Sequence, residues 1–148
     1  MRKLDCKPVV VGTVGAGFAA GLHGDGYMHV CTVPVRLKTV ADPDLEKAEH
    51  IQEIYGYERA VREFQDLLQD PEIDVIDILT PPVLHRSMIL DALAAGKHVI
   101  CEKPLTGFFG QPGQPDAGRT PKKEMYTQVL RDLEEIRQTA ERSGRLVM

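Results

Sequence analysis

VVVGTVGAGFAAGLH, residues 9–23, is the stretch whose reading decides the fold. Pro8 to Val14 is a β-branched run that stops at glycine, the pattern of a buried strand. Gly15 opens a turn, and a helix is expected from Phe18 to about Met28. Gly15-x-Gly17-x-x-Ala20 fits the spacing G-x-G-x-x-G/A. In that pattern the first glycine allows the sharp turn and the second lets the backbone approach a pyrophosphate. The small third residue lets helix and strand lie close. Phe18 and Ala19 then open a helix whose free N–H groups and positive dipole end suit phosphates. Taken alone, the match does not separate a dinucleotide cradle from an ordinary tight βα turn.

The next strand adds weight to the cradle. Val35 to Ala41 reads as the second strand and ends on Asp42, a little beyond the ~20-residue spacing expected for the acidic partner of the glycine turn. A carboxylate there can accept hydrogen bonds from the adenosine ribose hydroxyls. Asp44 follows, and no arginine comes directly after Asp42, so a 2′-phosphate would meet two negative charges without a guanidinium. The expected cofactor is therefore NAD rather than NADP. The plainer alternative is that Asp42 only starts the turn Asp42-Pro43-Asp44.

Further along, strands and helices alternate. Helices are expected at Leu45–Tyr55, Phe64–Gln69 and Val83–Ala95, with Gly56 and Gly96 as stops. Short strands fall at 57–61, 74–79 and 97–101. Leu84, Met88, Ala92 and Ala95 define the expected inner face of the 83–95 helix. Thr120 reads as an N-cap with Pro121 at the first helical position. The helix that follows carries Met125, Val129, Leu133, Ile136 and Ala140 on one stripe and stops near Gly144. Arg145–Met148 begins a sixth strand. Apolar strands without a polar face demand a parallel sheet covered on both sides. The fold class is α/β, a doubly wound parallel sheet of Rossmann type, in a single three-layer domain spanning 1–148.

Bulk properties agree. The 148 residues suit one domain, and 43% hydrophobic with 27% charged residues is ordinary for a globular protein. The formal net charge is −4 without a basic stripe, which argues against nucleic acid as a partner. Nothing approaches the roughly 20 apolar residues of a membrane span, and no metal-ligand cluster stands out. Cys6, Cys31 and Cys101 form no CxxC pair and read as reduced thiols of a cytoplasmic protein.

Two strand ends carry a family resemblance. TPPVLH (80–85) and ALAAGKHVICEKP (92–104), with the GAGF turn, the VADPD strand end and LLQDPEIDV (67–75), closely resemble the Gfo/Idh/MocA oxidoreductases. The resemblance runs from about Lys7 to Met148, interrupted at 107–120. It implies an N-terminal Rossmann domain followed by a second α/β domain. It also implies hydride transfer between a nicotinamide and a hydroxyl-bearing carbon of a sugar, cyclitol or related polyol. Lys103 is by resemblance the lysine near the nicotinamide ribose and the reacting oxygen. An ammonium beside a developing alkoxide stabilises its charge and can relay a proton. Glu102 is expected to hold that ammonium, and Pro104 to stiffen the loop. Thr80, Pro81 and His85 join the expected cofactor site, although a helix histidine is commonly a packed residue. His23 matches a family position as well and is expected to be structural. His98 is expected at the sheet surface, and Cys101 as an inert strand thiol.

Three departures stand out. Pro82 replaces the asparagine usual after Thr-Pro. Residues 107–120, with four glycines and two prolines, form an unusually long loop, read either as a mobile segment or as a flap bearing Phe108 and Phe109. Lys122 and Lys123 could reinforce an anion site at the following helix. Finally, the sequence reaches its last residue as the sixth strand begins, and the substrate domain implied by the resemblance is expected to be absent from it. The expectation is a fragment that binds NAD(H) and turns over little by itself. A stand-alone NAD(H) sensor or interaction module is the competing reading, and a methyltransferase a third. A homo-oligomer is compatible with any of these.

Overall fold

The computed structural model describes residues 6–110 and 117–148. Five parallel strands, β1 (Val9–Val14), β2 (Val35–Ala41), β3 (Arg59–Val61), β4 (Val75–Ile78) and β5 (His98–Cys101), lie in the order β3-β2-β1-β4-β5. Helices α1 (Phe18–Met28), α2 (Leu45–Tyr55), α3 (Phe64–Gln69), α4 (Pro82–Ala94) and α5 (Lys122–Ser143) connect them, with a 3-10 turn at Ala117–Arg119. Strand order reverses between β1 and β4, the switch point where ligands of open α/β sheets bind. A parallel bridge from Val99 to Val147 starts the sixth strand beside β5, as its sequence predicts.

The sheet is apolar on both faces. On one side Val11, Leu37 and Val40 meet Ala20, Ala48 and Ile51 of α1 and α2. On the other, Val10, Val14, Ile76 and Ile78 meet Leu67, Ile89, Leu93 and Ile136 from α3, α4 and α5. Each fully buried Leu or Ile stabilises the fold by about 1.5–3 kcal/mol. The glycine-rich α1 has a packing reason: a Cβ on Gly24 would stand 2.7 Å from the Tyr55 ring, so the missing side chain lets α2 close on α1.

Some expectations shift. The inner face of α4 is His85, Ile89, Ala92 and Leu93, one residue round from the expected stripe, and Leu84 is exposed. On α5, Leu133 points outward and Asp132 inward, where Arg86 of α4 meets it at 3.2 Å. Helix α5 starts at Lys122 with Pro121 as its N-cap and no side-chain cap, so Thr120 lies outside the helix. Pro82 occupies the first turn of α4, a position where proline's missing N–H costs nothing. Lys97 precedes β5 instead of opening it, and its buried ammonium donates to the carbonyls of Asp70 (2.6 Å) and Ile73 (2.8 Å).

Candidate functional site

Strand register brings the site together. Val61, Ala41, Val14, Ile78 and Cys101 form one continuous row of partners across the sheet. The chain positions immediately beyond that row are Arg62, Asp42, Gly15, Leu79 and Glu102. Residues scattered over the sequence thus line one carboxyl edge.

The glycine turn is built from two different needs. Gly15 has φ +96°, and a Cβ there would lie 2.8 Å from the Leu79 carbonyl group, so backbone and packing both require glycine. At Gly17, apart from its own chain neighbours, no atom of the described residues lies within 4 Å of a Cβ position. The fold itself makes no demand for glycine there, and the space beside it is open. Helix α1 begins at the next residue with no side-chain cap and no acid in its first turn. Phe18, 86% exposed, and half-buried Ala19 therefore present the unpaired N–H groups of a helix start.

Asp42 is held in this turn. Its Oδ2 accepts from the Ala16 N–H at 2.8 Å and its Oδ1 from the Asp44 N–H at 2.9 Å. These contacts are those of the turn reading of Asp42, and each oxygen keeps a lone pair for a further donor. The expectation that no guanidinium stands nearby is corrected: Arg62, just past β3, donates to the Pro43 carbonyl at 2.7 Å.

Thr80, Pro81 and His85 form the second wall. His85 is fully enclosed, with its ring nitrogens 2.8 Å and 2.9 Å from the carbonyl oxygens of Thr80 and Pro104. It ties the Thr80 turn to the Lys103–Pro104 loop and leaves no ring surface for a ligand. Its part in the site is positioning, not direct contact. The Thr80 hydroxyl donates to the Met88 sulfur at 3.4 Å. Pro81 is the N-cap of α4.

Glu102 and Lys103 end β5, and the Lys103–Pro104 peptide is cis. Lys103 is exposed, and among the described residues its ammonium makes no ion pair. Glu102 does not hold it, contrary to expectation: the carboxylate accepts from the Lys103 N–H at 3.2 Å and lies 3.3 Å from His23 Nε2. His23 Nδ1 in turn lies 2.9 Å from Asp77 Oδ2, which also accepts from the Tyr27 hydroxyl at 2.8 Å. The hydrogen bond to Asp77 holds the His23 imidazole above its ordinary value of 6.5, at about 9. Glu102 is lowered in return, chiefly by His23. Burial pushes the Cys101 thiol up to about 12, which leaves it inert at neutral pH. Asp77 and its links to Tyr27, His23 and Glu102 had no signal in the sequence beyond an acid inside an apolar strand.

Phe108 and Phe109 lie in a cleft with Pro82, Val83, Arg86 and Gln128, between the start of α4 and α5. Lys123 lines a neighbouring cleft with Arg131. The centre of the 107–120 segment lies outside the described residues. Among the described residues no group of three or more His, Cys, Asp or Glu could hold a metal, and no helix is long and apolar enough to cross a membrane.

An open glycine turn, an acid just past β2 and a switch point in a 3-2-1-4-5 sheet define a dinucleotide-binding Rossmann domain. Residues 9–111 match the Gfo/Idh/MocA oxidoreductases, described as an NAD-binding Rossmann fold, and the chain belongs to that family. It is 36% identical over 102 residues to levoglucosan dehydrogenase of Pseudarthrobacter phenanthrenivorans, covering 64% of this chain and 26% of that protein. To inositol 2-dehydrogenase of Rubrobacter xylanophilus it is 34% identical over 101 residues, covering 68% and 28%. Among solved structures, an NAD binding oxidoreductase from Klebsiella pneumoniae matches with TM-score 0.72 and 30% identity over 96% of this chain and 34% of that one. Levoglucosan dehydrogenase in complex with NADH matches with TM-score 0.64 and 32% identity, over 68% and 29%. The chain spans about a third or less of each of these relatives.

Proposed function

We propose that this chain is the cofactor domain of an NAD-dependent dehydrogenase. Its substrate carries a hydroxyl on a carbon of a sugar, cyclitol or related polyol, the class to which the names of the dehydrogenase relatives point. The observation that carries the reading is the single row of strand ends that brings Gly15, Asp42, Leu79–Thr80 and Glu102–Lys103 to one edge. A nicotinamide cofactor bound there supplies or accepts the hydride. The α1 N-terminus and the open space at Gly17 suit its pyrophosphate. Asp42 suits the adenosine ribose, and Lys103 the reacting oxygen.

Lys103 has the chemistry for that role. As an alcohol becomes a carbonyl, negative charge on oxygen is stabilised by a nearby cation, and the departing proton needs an acceptor within hydrogen-bond reach. With Glu102 engaged elsewhere, the ammonium is left to the substrate. NAD is favoured over NADP because Asp42, with Asp44 next in the turn, puts negative charge where a 2′-phosphate would sit, although Lys47 pairs with Asp44 at 3.3 Å and Arg62 supplies a cation nearby. The unpaired thiols Cys6, Cys31 and Cys101 suit a cytoplasmic setting. By this reading the 148-residue polypeptide binds cofactor and turns over little alone.

Calorimetric titration of the chain with NADH and NADPH tests the reading. Expected is binding of both or of NADH alone, with NADH the tighter ligand. Failure of both to bind at 1 mM on the order of typical upper KM values overturns it, and tighter NADPH overturns the preference.

A further inference from the structure

Asp77 is out of place by ordinary rules. It lies on β4 between Ile76 and Ile78, pairs across the sheet with Thr13 and Ile100, and is fully buried. A buried carboxylate costs several kcal/mol unless it is paired and hydrogen-bonded. The partners here come from one helix. His23 and Tyr27 are one turn apart on α1 and both bond Oδ2, while Oδ1 has no partner among the described residues.

A cluster that served only to join α1 to the sheet would end there. This one continues outward, because the second ring nitrogen of His23 meets Glu102 Oε1 and Glu102 Oε2 accepts the Lys103 N–H. A line of hydrogen bonds therefore runs from the sheet interior to the backbone of the proposed catalytic lysine. We propose that His23 is a positioning residue, a clamp anchored on Asp77 that holds Glu102 on the Lys103 backbone and away from the Lys103 ammonium. The inference rests on the role assigned to Lys103 above.

Both ring nitrogens of His23 face carboxylates, so the doubly protonated ring, with two N–H donors, satisfies the site. The groups facing this assembly are Tyr27 from α1, Tyr57 from the segment before β3, Cys101 from β5 and Lys103 beyond it. With the ring held near pH 9, the clamp is closed at neutral pH and opens as the pH rises through that value. An open clamp frees Glu102 to reach toward Lys103.

The test uses the 148-residue chain labelled for NMR, with His23→Gln and Asp77→Asn as variants. Three cofactor-free readouts are expected. The His23 ring titrates near 9, and its midpoint falls toward 6.5 in Asp77→Asn. The Glu102 carboxyl returns to the ordinary carboxylate range in His23→Gln. The Lys103 amide resonance shifts in the same variant. NADH affinity, followed by fluorescence from pH 6 to 10, is then expected to weaken at least about fivefold as the ring deprotonates, the lower end of usual coupling between sites. That step moves to lower pH with the ring in Asp77→Asn and vanishes in His23→Gln. A His23 midpoint near 6.5 in the unaltered chain, or Glu102 and Lys103 resonances indifferent to His23→Gln, overturns the clamp. An NADH step that stays in place when the ring midpoint moves overturns its positioning role. Absence of NADH binding at every pH overturns the cofactor-domain reading instead, while the three resonances still report on the clamp.

Discussion

Replacing Gly15 and Gly17 one at a time by alanine separates what the fold needs from what a ligand needs. At Gly15 the backbone sits at φ +96°, which costs a residue with a Cβ about 1–2 kcal/mol. The new methyl would also stand 2.8 Å from the carbonyl carbon and oxygen of Leu79, rigid backbone that cannot rotate away. Overpacking of that kind adds about 1–3 kcal/mol. The sum, about 2–5 kcal/mol, lowers Tm by about 5–15 °C in a chain of this size. At Gly17 the φ of −86° suits alanine and, apart from its chain neighbours, no atom of the described residues is within 4 Å of the added methyl. Loss of a glycine N-cap and the stiffer unfolded chain roughly cancel, so stability changes by less than about 0.5 kcal/mol. Under the proposed assignment the methyl instead fills the space meant for the pyrophosphate. Losing one charge-assisted hydrogen bond, about 1.5–3 kcal/mol, weakens NADH about ten- to a hundredfold. Differential scanning fluorimetry and calorimetric titration read the two effects separately. A Gly17→Ala chain that melts normally and still binds NADH as tightly as the parent refutes the assignment of the turn.

Three further outcomes are expected. A proton bound more tightly in the folded state favours folding fully below the unfolded value and less above it, so His23, raised from 6.5 to about 9, makes the urea midpoint fall across that window. The His23→Gln chain should lack that slope, and above pH 9 Cys101, pushed up to about 12, adds a decline of the same sign. Lys97→Met leaves the Asp70 and Ile73 carbonyls without their buried donor and should cost about 2–4 kcal/mol by urea unfolding; a loss below about 0.5 kcal/mol would show that water replaces the ammonium. Arg62→Ala should leave the NADH Kd within about twofold and weaken NADPH about tenfold by loss of a charge-assisted contact, and an equal loss for both cofactors would assign Arg62 to the turn alone.

What the sequence disclosed was local. The glycine turn, Asp42 at a strand end and the β-branched strands each declare themselves within a few residues, because turn sterics and strand burial act over that range. The inner face of α4 did not, since Val83, Leu84, Met88, Ile89, Leu90 and Leu93 make that helix apolar nearly all round. His85, bonded to two backbone carbonyls, decides its rotation. The polar line through Asp77 joins residues 54 and 79 positions apart, and no window along the chain contains it. Arg62 escaped for the same reason: it reaches Pro43 only because β3 lies beside β2.

One irregularity of β2 has a consequence for how such sites vary. The pairing of β1 with β2 steps between Val11 and Gly12, so that Val11 meets Leu37 but Gly12 meets Thr39, and Lys38 has no counterpart. Its ammonium is tied to Glu58 and Glu72, together with Arg36. Had the pairing run without the step, Val14 would face Val40 and Asp42 would overshoot the glycine turn by one residue. The surplus residue is taken up in mid-strand, and the far end arrives level. Distance along the chain between the glycines and their acid is therefore a slack quantity, free to drift by insertion, while the alignment at the strand tips stays fixed.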